Sequence, residues 1–521
     1  MSLAKSYTLV GSATLASRLT GFVRDILIAT VLGSSAVADA YIAAFLLPNL
    51  FRRVLSEGAF NAAFVPIHSR RLAEGGPPGA DAFVEAALSS LVALVLALLV
   101  MAEAGMPLII GAIAPGFADA PEKFADAVLF GRIAFVFVAA IIVVALLSSM
   151  LNAVGRYALV AMAPLILNLL LIPVLAGLVL LGWRGEHKAG LVLVSAVLVA
   201  GLLQLGYVLW GTRRAGLRLT LGWPRPDADV RLLMLMILPG LVLAGAGHFN
   251  MVVAAQLSSA LPSAVSWLYY ADRIFQLPLG FVAAAIGVVL LPEVARAWRE
   301  GDGVGAEATV NRALEFGLLF VLPATAGLVI LAGPIIDIIY RHGAFTAADS
   351  AATAEILRAI AFGLPGFVLV KVFLPPYLAR EAMRVPVLAA LAGILVNVVV
   401  TLALLGRLGP VAAPVGVAAS AWVNAALLGL GLRRTGAFRL DAQAVRLLPR
   451  ILAAALVTAG AAFLMLALLG GWLAPAAPFL LRIAALAAIC IGGVVVHLAA
   501  AHWLGAADLA ALGALLSRSR G

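Results

Sequence analysis

Charge is scarce in this chain. Of 521 residues only 12% are Asp, Glu, Lys or Arg, while 64% are hydrophobic and the mean hydropathy is +1.12. That balance excludes a soluble globular domain. Cysteine is nearly missing. Cys490 stands alone in an apolar run, which excludes an intrachain disulfide and a cysteine-cluster metal site and leaves it to pack as a small hydrophobe. No glycine–lysine phosphate loop, nucleophile elbow or HExxH occurs, and the connections between apolar runs are short. No catalytic domain, no enzymatic activity, no cofactor and no metal site are therefore expected. No Arg/Lys run alternates with aromatics, which excludes a nucleic-acid partner. The net charge of +10 reports orientation instead. A short apolar core ending in a small-x-small cleavage site is also missing, so the first apolar segment is expected to stay in the mature protein.

What the chain has is long apolar runs. Bounded by charge or turn residues they cover 8–32, 37–66, 81–104, 128–152, 159–182, 189–212, 230–258, 265–294, 308–331, 351–378, 385–406, 411–432, 447–470 and 479–503. Each is long enough to span a bilayer as a helix, which needs about 20 residues. The reading is an all-α polytopic membrane protein with about 14 transmembrane helices. Connections after even-numbered spans carry Arg70–Arg71, Arg156, Arg213–Arg214, Arg296–Arg299, Arg380–Arg384 and Arg433–Arg434, whereas those after odd-numbered spans carry Glu103, Asp119, Glu122, Glu186 and Asp337. The positive-inside rule then puts both termini in the cytoplasm.

Prolines punctuate many of the spans, among them Pro48, Pro66, Pro164, Pro173, Pro239, Pro278, Pro292, Pro365, Pro375 and Pro376. Each removes a backbone hydrogen bond and bends its helix. Either neighbouring helices satisfy the freed carbonyls or bent helices line a cavity. A faint repeat is present: Phe45-x-Leu47-Pro48-x-x-Phe51 recurs as Phe275-x-Leu277-Pro278-x-x-Phe281, 230 residues later. With the span count it suggests two related six-helix lobes, 1–213 and 230–434, joined by a linker at 214–229, then two additional helices and a basic tail at 435–521. Lobes of equal topology place a substrate in a central cavity between them, near the midplane. Within the linker, Leu217 to Leu221 alternates apolar with polar, a pattern suited to the membrane surface.

The few charges inside the spans carry the functional argument. Arg18, Arg24 and Arg52 interrupt apolar helices, and an arginine at the bilayer centre costs about 2.5–3.5 kcal/mol. On a helix Ser17, Gly21 and Arg24 share one face, with Arg18 and Asp25 on the next. Gly21 leaves room beside Arg24 for a partner backbone or a ligand. Arg53 and Glu57 can pair at i, i+4, as can Arg52 and Ser56. Span 8 adds Asp272 and Arg273 ahead of Pro278. Five cations (Arg18, Arg24, Arg52, Arg53, Arg273) thus face four anions (Asp25, Asp39, Glu57, Asp272). Two readings stand: interhelical ion pairs as glue, or a wet site for an anion, for which the arginine fork is suited. Lys371 is a further intramembrane cation, free to snorkel towards the cytoplasmic face. His248, Asn250, Asn397 and Thr401 are isolated polar groups that read as helix–helix hydrogen bonds rather than ion ligands.

These residues resemble a known family. Ser17-Arg18-x-x-Gly21-x-x-Arg24-Asp25, Asp39-Ala-Tyr-x-Ala-Ala-Phe45-x-x-Pro48-Asn-Leu-Phe51-Arg52 and Ser56-Glu57-Gly58-Ala59-Phe60 are similar to the N-terminal signature of the MurJ (MviN) lipid II flippases. Tyr270-Ala-Asp272-Arg273-Ile-Phe-Gln276-Leu-Pro278-Leu-Gly280, Arg341-x-Gly343-Ala-Phe345 and Lys371-Val-x-x-Pro375-x-Tyr-x-Ala-Arg380 resemble later motifs. The resemblance runs through nearly the whole chain. It implies a bacterial inner-membrane member of the multidrug/oligosaccharidyl-lipid/polysaccharide exporter superfamily, moving lipid II between leaflets by alternating access. It further implies that Arg18, Arg24, Arg52 and Arg273 bind substrate in the central cavity, with Asp25, Asp39 and Lys371 in support. Other members resemble a sodium-binding pattern with carboxylates in spans 7 and 11. Here those spans offer Asn250, Asn397 and Thr401, which argues against sodium coupling and leaves membrane potential or another ion gradient as the driving force. Membrane lipids and peptidoglycan-synthesis or division proteins are the expected partners. The rival readings are another lipid-linked polysaccharide flippase, a drug/cation antiporter, a non-transporting cell-wall scaffold and, more weakly, a membrane glycosyltransferase. A cation exporter wants an acidic cavity, which the arginine excess argues against.

Overall fold

The computed structural model describes residues 3–54, 60–217, 219–225 and 227–506, with the backbone alone at 3–10, 53–54, 61–62, 238–248 and 288–289. The α-helices are α1 Leu3–Leu32, α2 Ala36–Val54, α3 Phe60–Ile113, α4 Pro121–Ala153, α5 Tyr157–Leu180, α6 His187–Arg214, α7 Ala228–Ser258, α8 Ala264–Arg299, α9 Gly303–Tyr340, α10 Ala347–Ala361, α11 Leu364–Ala379, α12 Arg384–Leu408, α13 Ala412–Arg434, α14 Ala442–Leu473 and α15 Phe479–Trp503. Among the described residues no strand occurs. Among the described residues ten stretches are long and apolar enough to cross a membrane, and one of them, Arg384–Arg434, contains both α12 and α13. The chain is an all-α polytopic membrane protein, as its apolar runs require.

The helices depart from the apolar runs in two places. The run 37–66 falls on α2, described to Val54, and on α3, described from Phe60, which continues past the end of the run. Helix α3 then continues to a kink at Gly76, which takes φ 61° and ψ −165°. Pro77 and Pro78 follow at once. Glycine reaches that region without a Cβ penalty, and the two prolines offer no N–H to carry the helix across it. The second departure is the run 351–378, which breaks between α10 and α11, with Pro365 in the first turn of α11.

By packing, the described chain divides into two compact units, Met1–Ser266 with His342–Thr346, and Trp267–Arg341 with Ala347–Gly521. The division falls one helix beyond the 214–229 linker. Val230, Leu233 and Ile237 of α7 join a core made by Phe64, Phe83 and Leu147 of α3 and α4, so α7 packs with the helices before it. The short stretch 342–346 sits on the end of α1, where the Ala344 N–H donates to Thr30 O at 2.9 Å. Gly33 and Gly343 both adopt φ +59° at this contact, and a Cβ on Gly343 would lie 2.4 Å from Thr30 O. That approach explains the glycine in the Arg341-x-Gly343-Ala-Phe345 motif.

In the second unit α14 and α15 pack on each other and on α9. Charged contacts close both ends of this seam. At one end Arg312 donates to Glu315 at 2.7 Å and to Asp441, while Asn311 Nδ2 reaches Arg439 O at 2.9 Å. Asp441 also caps α14 through the Ala444 N–H at 2.7 Å. Burial acts to raise its pKa, but the Ala444 N–H and Arg312 outweigh it and hold the carboxyl below its ordinary value. At the other end Asp337 accepts from Arg482 of α15, from Arg341 at 3.1 Å and from Ser350 at 3.2 Å.

Asn397 and Thr401 are fully buried on α12, where the Thr401 hydroxyl donates to Asn397 Oδ1 at 3.2 Å. Gly416 of α13 lies against both: a Cβ there would come within 2.3 Å of Thr401 Oγ1. Gly416→Ala is expected to push α12 and α13 apart and cost about 1–3 kcal/mol, read as a lower melting temperature in detergent. Gly406→Ala, at a position where the added methyl meets open space, leaves the melting temperature unchanged or slightly raised.

Candidate anion-binding site

Helix α1 carries a polar cluster around one of the sequence-predicted residues, Arg24. Thr20 donates back to Ala16 O at 2.8 Å, which keeps its hydroxyl oxygen turned to the helix surface. Arg24, four residues on, has a side chain only 18% exposed, and that of Asp25 is 6% exposed. Arg24 Nη2 and Nε both donate to Asp25 Oδ1, at 2.7 and 3.1 Å. The third donor comes from the other edge of the guanidinium: Nη1 reaches Asn168 Oδ1 of α5 at 3.0 Å. Asn168 Nδ2 in turn donates to Ser17 O at 3.0 Å and to Thr20 Oγ1 at 3.1 Å. The gap beside Gly21 is filled by this same amide, 3.6 Å from where a Cβ would stand. The room expected there belongs to a neighbouring side chain.

Asn168 thus orients Arg24, although the residue pattern of α1 alone does not point to it. Its signal is an isolated amide within Leu165–Ile172, an otherwise apolar stretch of α5; a buried polar group in such a stretch needs a partner on another helix. Asp25 Oδ1 takes both donors on one edge of the Arg24 fork. A phosphate group, with several acceptor oxygens, suits the same fork.

Asp39, one of the four carboxylates set against the arginines, has a lysine as its ion-pair partner. It is 0% exposed and pairs with Lys123 of α4 at 2.5 Å. It also accepts from the Ser266 N–H at 2.9 Å, the Ser266 hydroxyl at 2.5 Å and the Ser263 N–H at 3.1 Å. Two of these donors are backbone groups at the start of α8, so Asp39 caps that helix from outside. Lys123 lies 4.0 Å from the Phe117 ring centroid, which shields the pair from water. Lys123 reads in the sequence as part of a charged connection, Pro-Glu-Lys, and nothing there marks it as a partner for Asp39.

The remaining candidates divide between the units. Arg18 is exposed on α1, and Arg52 on α2 contacts Asn49 Oδ1 at 3.4 Å. The Arg53 side chain and all of Ser56, Glu57 and Gly58 lie outside the described residues, and with them the two expected i, i+4 pairs. The His248 side chain also lies outside them. In the second unit Asp272 is buried and accepts from Gln276 one turn on, so its near partner is an amide. Arg273 stacks over the Tyr269 ring at 4.6 Å. Lys371 is exposed on α11. Among the described residues no group of three or more His, Cys, Asp or Glu is placed to hold a metal ion.

Residues 28–484 match the family model described as "Lipid II flippase MurJ". A "Probable lipid II flippase MurJ" of Rhizobium meliloti (strain 1021) is 39% identical over 98% of this chain and 95% of its own length. "Lipid II flippase MurJ" of Burkholderia cenocepacia is 30% identical over 88% of this chain and 89% of its own. Among solved structures, "Lipid II flippase MurJ, inward closed conformation" has the same fold with a TM-score of 0.76, at 23% identity, covering 95% of this chain and 98% of that one. An inward-facing multidrug resistance MATE transporter of the MOP superfamily shares the fold at a TM-score of 0.64 and 14% identity, covering 82% and 97%.

The Asp39–Lys123 pair gives a stability test. Lys123→Met leaves a buried carboxylate without its cation and is expected to cost about 3–5 kcal/mol. The double variant Asp39→Asn with Lys123→Met recovers most of that loss, because no charge is then stranded. Melting temperatures of the purified variants distinguish this from additive damage.

Proposed function

The chain belongs to the MurJ lipid II flippase family, and on that premise we propose that it moves lipid II from the cytoplasmic to the periplasmic leaflet of the bacterial inner membrane by alternating access. The difficulty of that transfer is the pyrophosphate. An anion of that charge density does not enter hydrocarbon without compensation, while the isoprenoid chain can remain in lipid.

Arg18, Arg24, Arg52 and Arg273 are the proposed pyrophosphate ligands, with Ser17, Gly21, Asp25, Asp39, Arg53, Glu57, Asp272 and Lys371 in supporting or gating roles. The observation that carries this reading is Arg24. Its guanidinium is nearly buried on an apolar helix, aimed by Asn168 and held by one oxygen of the adjacent Asp25. In the empty protein Asp25 keeps the cation neutralised. Substrate phosphate then replaces a carboxylate contact rather than water, so the site never presents an uncompensated charge to the membrane. Asp39, held by Lys123 and the start of α8, acts on conformation and not on the phosphate. Membrane potential or an ion gradient drives the cycle on this reading, both termini lie in the cytoplasm, and peptidoglycan-synthesis proteins are the partners at either end.

The test is leaflet occupancy. In cells depleted of the native flippase, wild-type protein restores lipid II to the outer leaflet. Arg24→Ala and Arg52→Ala, present at normal levels in the membrane, leave it inside. Arg24→Lys retains charge but loses the fork and is expected to lose at least about tenfold in flipping rate, the equivalent of roughly one charge-assisted hydrogen bond. Asn168→Ala, which keeps the Arg24 charge but frees its orientation and removes the amide's bonds to Ser17 O and Thr20, gives an intermediate loss. Full rescue by both alanine variants defeats the anion-site reading and favours a scaffold held together by ion pairs.

A further inference from the structure

Far along the chain from the arginines, α15 carries a histidine in an apolar seam. His497 is 4% exposed and Thr458 of α14 is 5% exposed. Around them Leu319, Ile451, Ala454, Ala500 and Ala501 form one buried cluster. Both ring nitrogens are engaged: Nε2 lies 2.8 Å from Leu319 O of α9, and Nδ1 lies 3.0 Å from Thr458 Oγ1.

The Leu319 carbonyl accepts from another helix for a sequence reason. Its own helical partner would be the N–H four residues on, and that residue is Pro323, inside α9. Proline has no N–H, so the carbonyl is left over. In the membrane such a carbonyl must be satisfied by a neighbouring helix, and His497 does this. A carbonyl only accepts. Nε2 must therefore carry the hydrogen, and in the neutral ring Nδ1 is the bare nitrogen.

Nδ1 faces a group that can serve either protonation state. The Thr458 hydroxyl has one hydrogen and two acceptor positions. It lies 2.8 Å from Ala454 O as well as 3.0 Å from Nδ1. With a neutral ring it donates to Nδ1. With a protonated ring it accepts from Nδ1–H and donates to Ala454 O. Both states satisfy every hydrogen without moving a heavy atom. The charged groups nearest along the packed helices are few. On α9 Glu315 stands one turn before Leu319, paired with Arg312 and contacted by Gln443 of α14 at 3.4 Å. On α14 Arg450 is exposed and bonded to Gly505 O at 3.2 Å. On α15 His502 is exposed.

We propose that His497 is a proton-binding site on the seam that holds α14 and α15 to α9: one proton from water adds to the Nδ1 lone pair, Nε2–H stays on Leu319 O, and the Thr458 hydroxyl reverses from donor to acceptor. No covalent bond breaks. This site lies beyond the arginine reading and does not depend on it, since a proton can bind here with no cargo present.

The experiment is 15N NMR of histidine-labelled full-length protein in proteoliposomes, titrated over about pH 4–8 to bracket the ordinary histidine range. His497→Gln assigns the resonance among the six histidines. The expected result is an Nε2–H tautomer with bare Nδ1 at the alkaline end and two protonated nitrogens at the acid end. Thr458→Val removes the acceptor that the imidazolium needs and requires about tenfold more acid, as loss of one charge-assisted hydrogen bond does. Thr458→Ser keeps the hydroxyl and titrates as wild type. An Nδ1–H tautomer in the neutral ring, a ring that stays neutral at the acid end, or a Thr458→Val titration that matches wild type overturns the proposal. Flipping by the wild-type protein is unaffected by any of these outcomes, so the two readings fail separately.

Discussion

Inside a membrane no water is available to complete a hydrogen bond, and that constraint organises this protein. Each polar atom placed in an apolar helix must find its partner on another helix or within one turn of its own. The consequence is that polar residues act as addresses. Arg24 finds Asn168 on α5 and Asp25 beside it, Asp39 finds Lys123 on α4, and Asp337 finds Arg482 on α15. Remove one partner and the other is stranded in a medium where an unpaired charge costs several kcal/mol. Apolar packing between helices does not discriminate nearly so well, because lipid tails are as apolar as the side chains they would replace.

Backbone groups obey the same rule, which makes proline informative. A proline inside a spanning helix leaves a carbonyl over, and the fold must supply a donor. Pro323 and His497 form such a couple across α9 and α15. Gly76 with Pro77 and Pro78 shows the alternative, a break in α3. The same residue type thus stands at a satisfied bend in α9 and at a turned corner in α3.

On the proposed function, a protein that must compensate its own charges is also equipped to lend that compensation to a cargo. The carboxylate beside Arg24 makes the empty site tolerable, and the pyrophosphate takes over its role. Arginine is favoured over lysine because a planar fork can hold one acceptor on one edge and a positioning amide on the other, as Arg24 does with Asp25 and Asn168.

Composition and hydropathy alone determined that this chain is a helical membrane protein. A run of about 20 apolar residues has few other stable fates. The motifs around Arg18, Arg24, Asp39 and Asp272 were enough to point to the family, and the intramembrane arginines stood out because each is costly by itself. Tertiary structure decided who neutralises whom. Lys123 is unremarkable in sequence, since a cation at a helix end has many harmless explanations, and neither the lone amide of Asn168 nor the motif residue Gln276 names its partner there. They matter only because α5, α4 and the following turn of α8 bring them within hydrogen-bond distance. The fate of Gly21, read as room for a partner backbone or a ligand and found filled by the Asn168 amide, has the same origin. Hydrophobicity is a property of each residue and can be read one position at a time, whereas charge compensation is a property of pairs brought together by folding.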